Sequence, residues 1–565
     1  MELSWQVLNN HPPEKISQFA QQLNSSPVLA RVLLNRGIED IESARRFFKP
    51  NFTNLHDPFL MAGMSEAVKR IETAITKKEK TLIYGDYDVD GTTATSMLMR
   101  FFHLLGHSAE FYVPDRLVEG YGLSDAGIQH AHQHGFQLII SVDCGITANS
   151  EIALAREFGL DVIVCDHHQP AADLPPATAI LNPKRADCPY PFKELAGVGV
   201  AFKLIQALQS HLQLDEDILY KSLEFAAIGS SADIVPLVDE NRIFVKFGLR
   251  RLRQTENIGF RALLAVSGVV DEEIGTGHVV FVIAPRINAV GRLGDAGRAV
   301  RLLTTEDEHQ AKNIAAILES ENRIRRSIDE ETFLEAVEIV EKQFDPKNQK
   351  VLVLEKEGWH PGVIGIVASR IAERYYRPTV MIATADGKGR GSARSIPGFD
   401  IYRALENCRD CMQEFGGHKY AAGLSIESGN IQRLRTAINQ VAAETLTPEQ
   451  LVPKLWIDSE LRFSEISADF LKLLRLMAPF GPHNMRPVFL SKDLQVVGAA
   501  SVVGKNHLRF KVRQDGIVMD AIGFNLGDLL YRVNSGERGV QMVYVIEENE
   551  WQGRKSLQLR VKDLR

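Results

Sequence analysis

The stretch LIYGDYDVDGTTATS, residues 82–96, ends an apolar run in three carboxylates, Asp86, Asp88 and Asp90, each two positions from the next. Acids this close repel one another and resist burial, so the spacing calls for positive charge nearby. Two more apolar runs end in similar chemistry: LIISV leads into Asp143, and VIVC into Asp166, His167 and His168. Asp233 sits in GSSADIVPLVD, a loop-like stretch after an apolar helix. Ligands of open α/β sheets bind beyond the carboxyl ends of the strands, so these endings are expected to converge. A carboxylate-rich crevice with two imidazoles suits Mn²⁺ or Mg²⁺ better than a thiol-rich zinc site would. Two such ions about 3.5–4 Å apart can bridge a phosphate, activate a water and stabilise a leaving oxygen. Asp88 and Asp233 are the candidate bridging carboxylates by position. The plainer reading of each piece is a helix cap, a role Thr92 or Asp90 could fill. Three such endings in succession favour the metal.

The elements that must hold these residues follow from the pattern. Strands TLIYGD, AEFYVPD, FQLIISVD, DVIVCD and TAILNP alternate with helical segments such as TTATSMLMRFFHLLG and ANSEIALAREFG. That alternation predicts a mainly parallel sheet covered by helices over residues 61–303. Residues 1–60 read as a segment of short helices. Residues 304–343 are heavily charged, contain no Gly or Pro and keep helical spacing, which predicts a linker helix across 304–345 joining two domains. A second α/β unit occupies 346–449, with KVLVLEKE and RPTVMIATADG as strands around the helix GVIGIVASRIAERYY. From 450 to 565, short β segments with turn signals predict a small barrel.

Composition narrows the class. The chain has 565 residues, 45% of them hydrophobic and 24% charged, and a net charge of −7. Three or four domains are the prior at roughly 100–200 residues each. An acidic balance excludes a small basic DNA-coating protein, so any nucleic-acid contact must use a local groove. Of five cysteines, Cys408 and Cys411 form a CxxC without two further ligands nearby, which favours reduced thiols over zinc. No secretory signal or membrane span is expected, which makes a cytoplasmic protein the expectation.

The ordered motifs GDYDVDG, SVDCGIT, CDHHQP and SADIVPL resemble those of the DHH phosphoesterases, and GGHKYAAG resembles the signature of their companion DHHA1 domain. WHPGVIGIVASRI, PRINAVGRLGDA and GKGRGSARS are similar to the RecJ branch, single-strand-specific 5′→3′ exonucleases. The resemblance spans nearly the whole chain. It implies six ligands for two Mn²⁺ or Mg²⁺ ions: Asp86, Asp88, Asp143, His167, His168 and Asp233. Asp90 and Asp166 would support them, Asp166 by orienting an imidazole.

The basic stretch around GKGRGSARS carries Arg374, Arg377, Lys388, Arg390 and Arg394 against one acid, Asp386, and its glycines admit an anion closely. The resemblance implies that Ser392, Arg394 and Arg116 hold a 5′-terminal phosphate. Arg286, Asn288 and Arg292 would contact the substrate backbone, as would Gly417 and His418. The barrel resembles an OB fold, which binds single strands on aromatics and a basic track. NHLRFKVR interleaves Phe510 with Arg509, Lys511 and Arg513, and Arg554, Lys555, Arg560 and Lys562 follow. An ordinary half-buried edge strand has the same alternation.

The expected activity is hydrolysis of the 5′-terminal phosphodiester of single-stranded DNA, releasing 5′-mononucleotides. A 5′-phosphate pocket would set polarity, and an interdomain passage too narrow for duplex would exclude double strands. The family implies repair and recombination, with single-strand-binding protein and a helicase as partners and a monomeric chain. The rivals are a phosphodiesterase for cyclic dinucleotides and a non-catalytic DNA-binding scaffold. The barrel argues against the first and the complete ligand set against the second.

Overall fold

A computed structural model of the chain describes residues 3–565 apart from 117, 270–272, 347, 535 and 552–553. The fold separates into two compact units. The larger comprises Trp5–Asn288, Ala296–Ala315 and Leu455–Arg565, and the smaller contains Ala289–Asp295 and Ala316–Lys454.

In the larger unit, strands β1 (Thr81–Tyr84), β2 (Ala109–Tyr112), β3 (Leu138–Val142), β4 (Asp161–Cys165) and β5 (Ala179–Leu181) form a sheet of order β2-β1-β3-β4-β5. All its pairings are parallel. β1 and β3 are buried throughout, and β4 over four of its five residues, which is why they read as unbroken apolar runs rather than alternating ones. The strand order reverses between β1 and β3, the crevice where such sheets bind ligands. Tyr84 pairs with Ser141 and Val142 with Cys165, so the acid-bearing ends of β1, β3 and β4 lie side by side.

Helices α1 (Pro13–Leu23), α2 (Pro27–Leu34) and α3 (Ile41–Phe48) precede the sheet. Helix α4 (Val89–Leu104) follows β1 and is buried along most of its length. It packs against α5 (Gly197–His211) and α6 (Asp217–Ala232), and α6 packs on α7 (Asp239–Leu252). The charged segment forms one helix, α8 (Glu308–Gln343).

The smaller unit is built on a five-stranded sheet. Its strands are β6 (Leu352–Glu357), β7 (Thr379–Ala385), β8 (Lys388–Arg394), β9 (Glu414–His418) and β10 (Ala421–Glu427), in order β9-β10-β8-β7-β6. Only the β6–β7 pairing is parallel. Helix α9 (Ile364–Tyr375) packs on β7 and β8.

The C-terminal strands β11 (Phe489–Val496), β12 (His507–Gln514), β13 (Ile517–Gly523), β14 (Val540–Trp551) and β15 (Arg554–Leu564) make a closed barrel, shut by the β11–β12 pairing of Gln495 with Arg513. β12 alternates strictly: Leu508, Phe510 and Val512 point inward, while Arg509, Lys511 and Arg513 face solvent. Phe510 is therefore a core residue, and the half-buried-strand reading wins over a stacking track there. The N-terminal helices have no core of their own. Phe19, Leu33 and Phe47 share one with Phe489, Phe510 and Tyr544 of the barrel. Arg242 of α7, 2% exposed, joins the three parts, donating to the carbonyls of Phe47, Leu476, Met477, Ala478 and Pro479.

Candidate metal centre

The centre grows out of the exits of β1, β3 and β4. After β1 the chain turns through Asp86 and starts α4, whose N-cap is Asp88, its Oδ1 accepting from Gly91 N at 3.0 Å. The cap is thus Asp88 itself, neither Thr92 nor Asp90. Gly91 is required by space, since a Cβ there would lie 2.7 Å from the backbone N and O of Asp86. Asp90, buried in the first turn of α4, accepts from Gly197 N at 2.6 Å and Val198 N at 2.9 Å, docking the start of α5. A Cβ on Gly197 would stand 2.7 Å from Asp143 Oδ1, so α5 presses its bare first turn against that acid. Sequence patterning gave no hint of this role for the AGVGVAF stretch.

Asp143 leaves β3 with φ 61°, a left-handed backbone that a non-glycine residue adopts only under constraint. Asp166 behaves as an orienting group. Its Oδ1 accepts from the backbone of His167 and from His168 Nδ1 at 2.7 Å, and its Oδ2 accepts from Ile146 N. With Nδ1 committed, His168 is left with Nε2 as its ligand atom. His167 Nε2 lies 3.2 Å from Asp143 Oδ1, 3.6 Å from Asp233 Oδ2 and 3.9 Å from Asp90 Oδ2.

Three sets of side chains bring ligand atoms within 4.8 Å of one another: Asp86, Asp88 and Asp143; Asp143, His167 and His168; and Asp90, His167 and Asp233. All six expected ligands are thus gathered. Asp143 and His167 each belong to two of the three sets. Asp90 offers an oxygen directly as well as supporting α5.

The electrostatics are those of crowded, buried carboxylates beside two imidazoles. Burial, and then the charge of Asp88, pushes the Asp86 carboxyl well above the usual range. Burial and neighbouring aspartates, Asp90 foremost, do the same to Asp143 and Asp233. Asp90 is pushed up to about 7 by burial and Asp88, against the pull of the Val198 and Gly197 N–H groups. Burial, with His168 adding to it, drives His167 down to about 3, which keeps its imidazole neutral and fit to bind a metal. Asp166 goes the other way: burial would raise it, but the hydrogen bond and charge of His168 hold it at about 2. Among the described residues, Asp86 Oδ1, Asp143 Oδ1 and His167 Nε2 are buried without a hydrogen-bond partner. Buried orphan atoms of this kind are costly unless an ion meets them, so the donor set fits a hard divalent cation.

The remaining candidates form two groups. In the larger unit, the Arg116 guanidinium stacks over Tyr87 at 4.9 Å and draws the Asp86 carboxyl down. Arg286 is buried, donating to Val282 O at 2.5 Å one turn back, with Asn288 two residues on. In the smaller unit, Arg394 Nη1 donates to Ser392 Oγ at 3.1 Å at the end of β8. A Cβ on Gly365, in the first turn of α9, would lie 3.0 Å from Ser392 Oγ and 3.1 Å from Arg394 Nη2. Arg292 donates to Gly362 O at 2.9 Å just before that turn. Ser392, Arg394 and a helix N-terminus thus share one spot, an arrangement suited to a phosphate. Across the sheet, Arg394 pairs with Ala421 and Ala421 with His418, which sets His418 on the same line as Arg394. Gly417 has φ 144° and a Cβ there would meet Ala421 O at 2.4 Å, so only glycine fits.

Two groups were not foreseen. Tyr121 reaches the metal centre from the Gly-rich stretch after β2, donating to Asp143 O at 3.0 Å. On the barrel, the half-exposed Phe524 lies 5.3 Å under the Arg560 guanidinium and edge-on to His507, and the exposed Tyr531 ring packs beside Arg532. A single Tyr or Phe carries no periodicity, so only the fold reveals such placements.

Comparison with known proteins agrees with this layout. Residues 80–230 match the DHH family N-terminal domain, 348–444 the DHHA1 domain and 457–563 the RecJ OB domain. The single-stranded-DNA-specific exonuclease RecJ of Bacillus subtilis is 40% identical over all of this chain and 71% of its own length. That of Escherichia coli K12 is 35% identical over 95% of this chain and 96% of its own. The crystal structure of Thermus thermophilus RecJ with Mn²⁺ superposes with a TM-score of 0.85 at 30% identity, covering all of this chain and 79% of that one. A Mg²⁺ complex of the same protein gives 0.79 at 29% identity over 100% and 78% of the two chains.

Proposed function

The chain belongs to the RecJ family of exonucleases, and from that premise we propose that it degrades single-stranded DNA from the 5′ end, releasing 5′-mononucleotides by two-metal hydrolysis. The observation that carries this is the set of buried, partnerless ligand atoms at three adjacent strand ends. The enzyme is a metal-dependent phosphodiester hydrolase using Mn²⁺ or Mg²⁺.

Asp86, Asp88, Asp143, His167, His168 and Asp233 are the residues that would hold the ions. When bound, two divalent cations supply charge stabilisation for the phosphorane-like transition state and an activated water. The chain's own groups prepare for this. Asp166 fixes His168 so that Nε2 faces the centre. The depressed basicity of His167 keeps its ring neutral at physiological pH. Asp90 and the start of α5 hold Asp143 from one side, and Arg116 offers positive charge close to Asp86. Ser392 and Arg394, at the first turn of α9, are assigned to the 5′-terminal phosphate, which would set the polarity. Arg286, Asn288, Arg292, Gly417 and His418 are assigned to the substrate backbone.

Family membership supports a place in repair and recombination, in the cytoplasm, alongside single-strand-binding protein and a helicase. Among the described residues no helix is long and apolar enough to cross a membrane. We take the working form to be a monomer.

The test is digestion of a 3′-labelled single-stranded oligonucleotide with Mn²⁺, beside a chelated control and the matching duplex. The expected result is a descending ladder on the single strand alone. Immediate release of the label as a mononucleotide would reverse the polarity and remove the role given to Ser392 and Arg394.

A further inference from the structure

Asp143 is the acid that two of the three ligand sets share, and its backbone is strained, so something must hold it. From the N–H side, Asp143 N donates to Cys165 O at 2.9 Å. From the side-chain face, the bare first turn of α5 presses against it. The carbonyl is met by Tyr121, whose hydroxyl donates to Asp143 O at 3.0 Å. The Tyr121 hydroxyl oxygen also lies 3.2 Å from His168 Nδ1 and 3.3 Å from Nε2, nearly equidistant, with the two rings at 73°. Tyr121 thus touches the backbone of one ligand and the ring of another. Gly120 and Gly122 flank it, with φ 88° and 87°, so the chain can double back and deliver this side chain. Its ring stays half exposed, edge-on to Tyr87 at 6.4 Å, and Tyr87 lies beneath Arg116.

We propose that Tyr121 is a positioning residue of the metal centre: its hydroxyl pins the strained Asp143 carbonyl and its ring packs edge-on against His168, so that both ligands are preset before an ion arrives. The inference rests on reading the cluster as a metal centre. Left-handed backbone at a non-glycine residue persists only where its surroundings over-determine it, and a hydrogen bond to the carbonyl of that residue is such a constraint. Groups that orient ligands in this way are typically worth about 10–100-fold in metal affinity.

The experiment compares the full chain with Tyr121→Phe and Tyr121→Ala, using Mn²⁺ binding read from the electron paramagnetic resonance of the free ion, and steady-state kinetics on single-stranded DNA. Thermal unfolding without metal checks that each variant folds. Tyr121→Phe keeps the ring and loses only the hydroxyl. It should bind Mn²⁺ about 10-fold more weakly, recover activity at high Mn²⁺ and leave KM for DNA unchanged. Tyr121→Ala should show the same Mn²⁺ defect. If Tyr121→Phe binds Mn²⁺ like the parent, the proposal is wrong. A rise in KM confined to Tyr121→Ala, with Mn²⁺ binding intact, would also overturn it and make the ring a base platform instead. Failure of the parent chain itself to bind Mn²⁺ would sink the metal-centre reading, a separate and recognisable outcome.

Discussion

The ends of β1, β3 and β4 and the strand β8 both concentrate charge, but in opposite ways. At the metal centre the carboxylates are buried, crowd one another and are pushed far from their ordinary basicity. Along β8, Lys388 and Arg390 are exposed, and only Ser392 and Arg394 turn towards the helix N-terminus of α9. Burial of like charge costs free energy, which protonation or a bound ion can offset, and at neutral pH the ion is the stronger partner. Exposed cations cost almost nothing, so their presence alone says little about function. The first region therefore identifies its ligand class by its own frustration, whereas the second needs a shaped spot before its charge means anything.

The largest effect should come from the frustrated region. Asp86→Asn or His167→Ala should lower kcat by more than the ~100-fold typical of supporting residues, while gel-shift affinity for single strands stays within a few-fold by rough expectation. Unchanged turnover would break the contrast at its root. The next effect belongs to the shaped spot. Arg394→Ala should raise KM about 10–100-fold for a 5′-phosphorylated strand, from loss of a charge-assisted contact of roughly 1.5–3 kcal/mol. A 5′-hydroxyl strand should barely notice the change, and an equal loss on both strands would place Arg394 elsewhere on the backbone.

The ion-free protein should also reveal the frustration through pH. Asp86, Asp90, Asp143 and Asp233 have folded-state acidities weaker than an unfolded chain would give them. An acid raised on folding keeps its proton in the native state, so its stability contribution is complete below about pH 4 and is lost as pH climbs through the folded value. Between about pH 4 and pH 7, where Asp90 titrates at about 7, the chelated protein should lose stability as pH rises. Asp166, held at about 2, and His167, driven to about 3, contribute the opposite sign, the first fading as pH falls below about 4 and the second as pH falls below about 6.5. The expected loss is therefore the excess of the four raised acids over one imidazole. Added Mn²⁺ should reverse the loss at neutral pH. Melting temperatures across that range with chelator and with Mn²⁺ test this, and a chelated profile that rises towards neutrality would contradict the charge assignment.

The smallest effect is expected on the barrel. Phe524→Ala should weaken long single strands about fivefold, the low end for one base–aromatic stack because the ring is only half exposed. Oligonucleotides too short to reach the barrel should be unaffected. Phe510→Ala should instead lower the melting temperature, since that ring is in the core.

What could be read from the sequence follows the same division. Strand ends were legible because three strands buried over all or nearly all of their length leave unbroken apolar runs, and the acids stand where those runs stop. The acids and histidines after those strands were therefore within reach, whereas the full candidate set with Asp233, which follows a helix, rested on the family resemblance. The place of Asp143 in two of the ligand sets was not within reach, because it depends on the left-handed turn at Asp143 and on α5 approaching from far downstream, neither of which leaves a local pattern. On the barrel, alternation was visible but its phase was not: β12 could have turned Phe510 either way until its partners were known. The N-terminal helices looked like a separate segment because amphipathic patterning reports a buried face without naming what covers it.

The most direct test is the number of Mn²⁺ ions the full chain binds at equilibrium, measured beside Asp143→Asn with circular dichroism as a check on folding. Because Asp143 belongs to two of the ligand sets, the account predicts two ions in the parent, both weakened by the single substitution. A parent chain that binds no Mn²⁺, or an Asp143→Asn protein that titrates like it, would contradict the account.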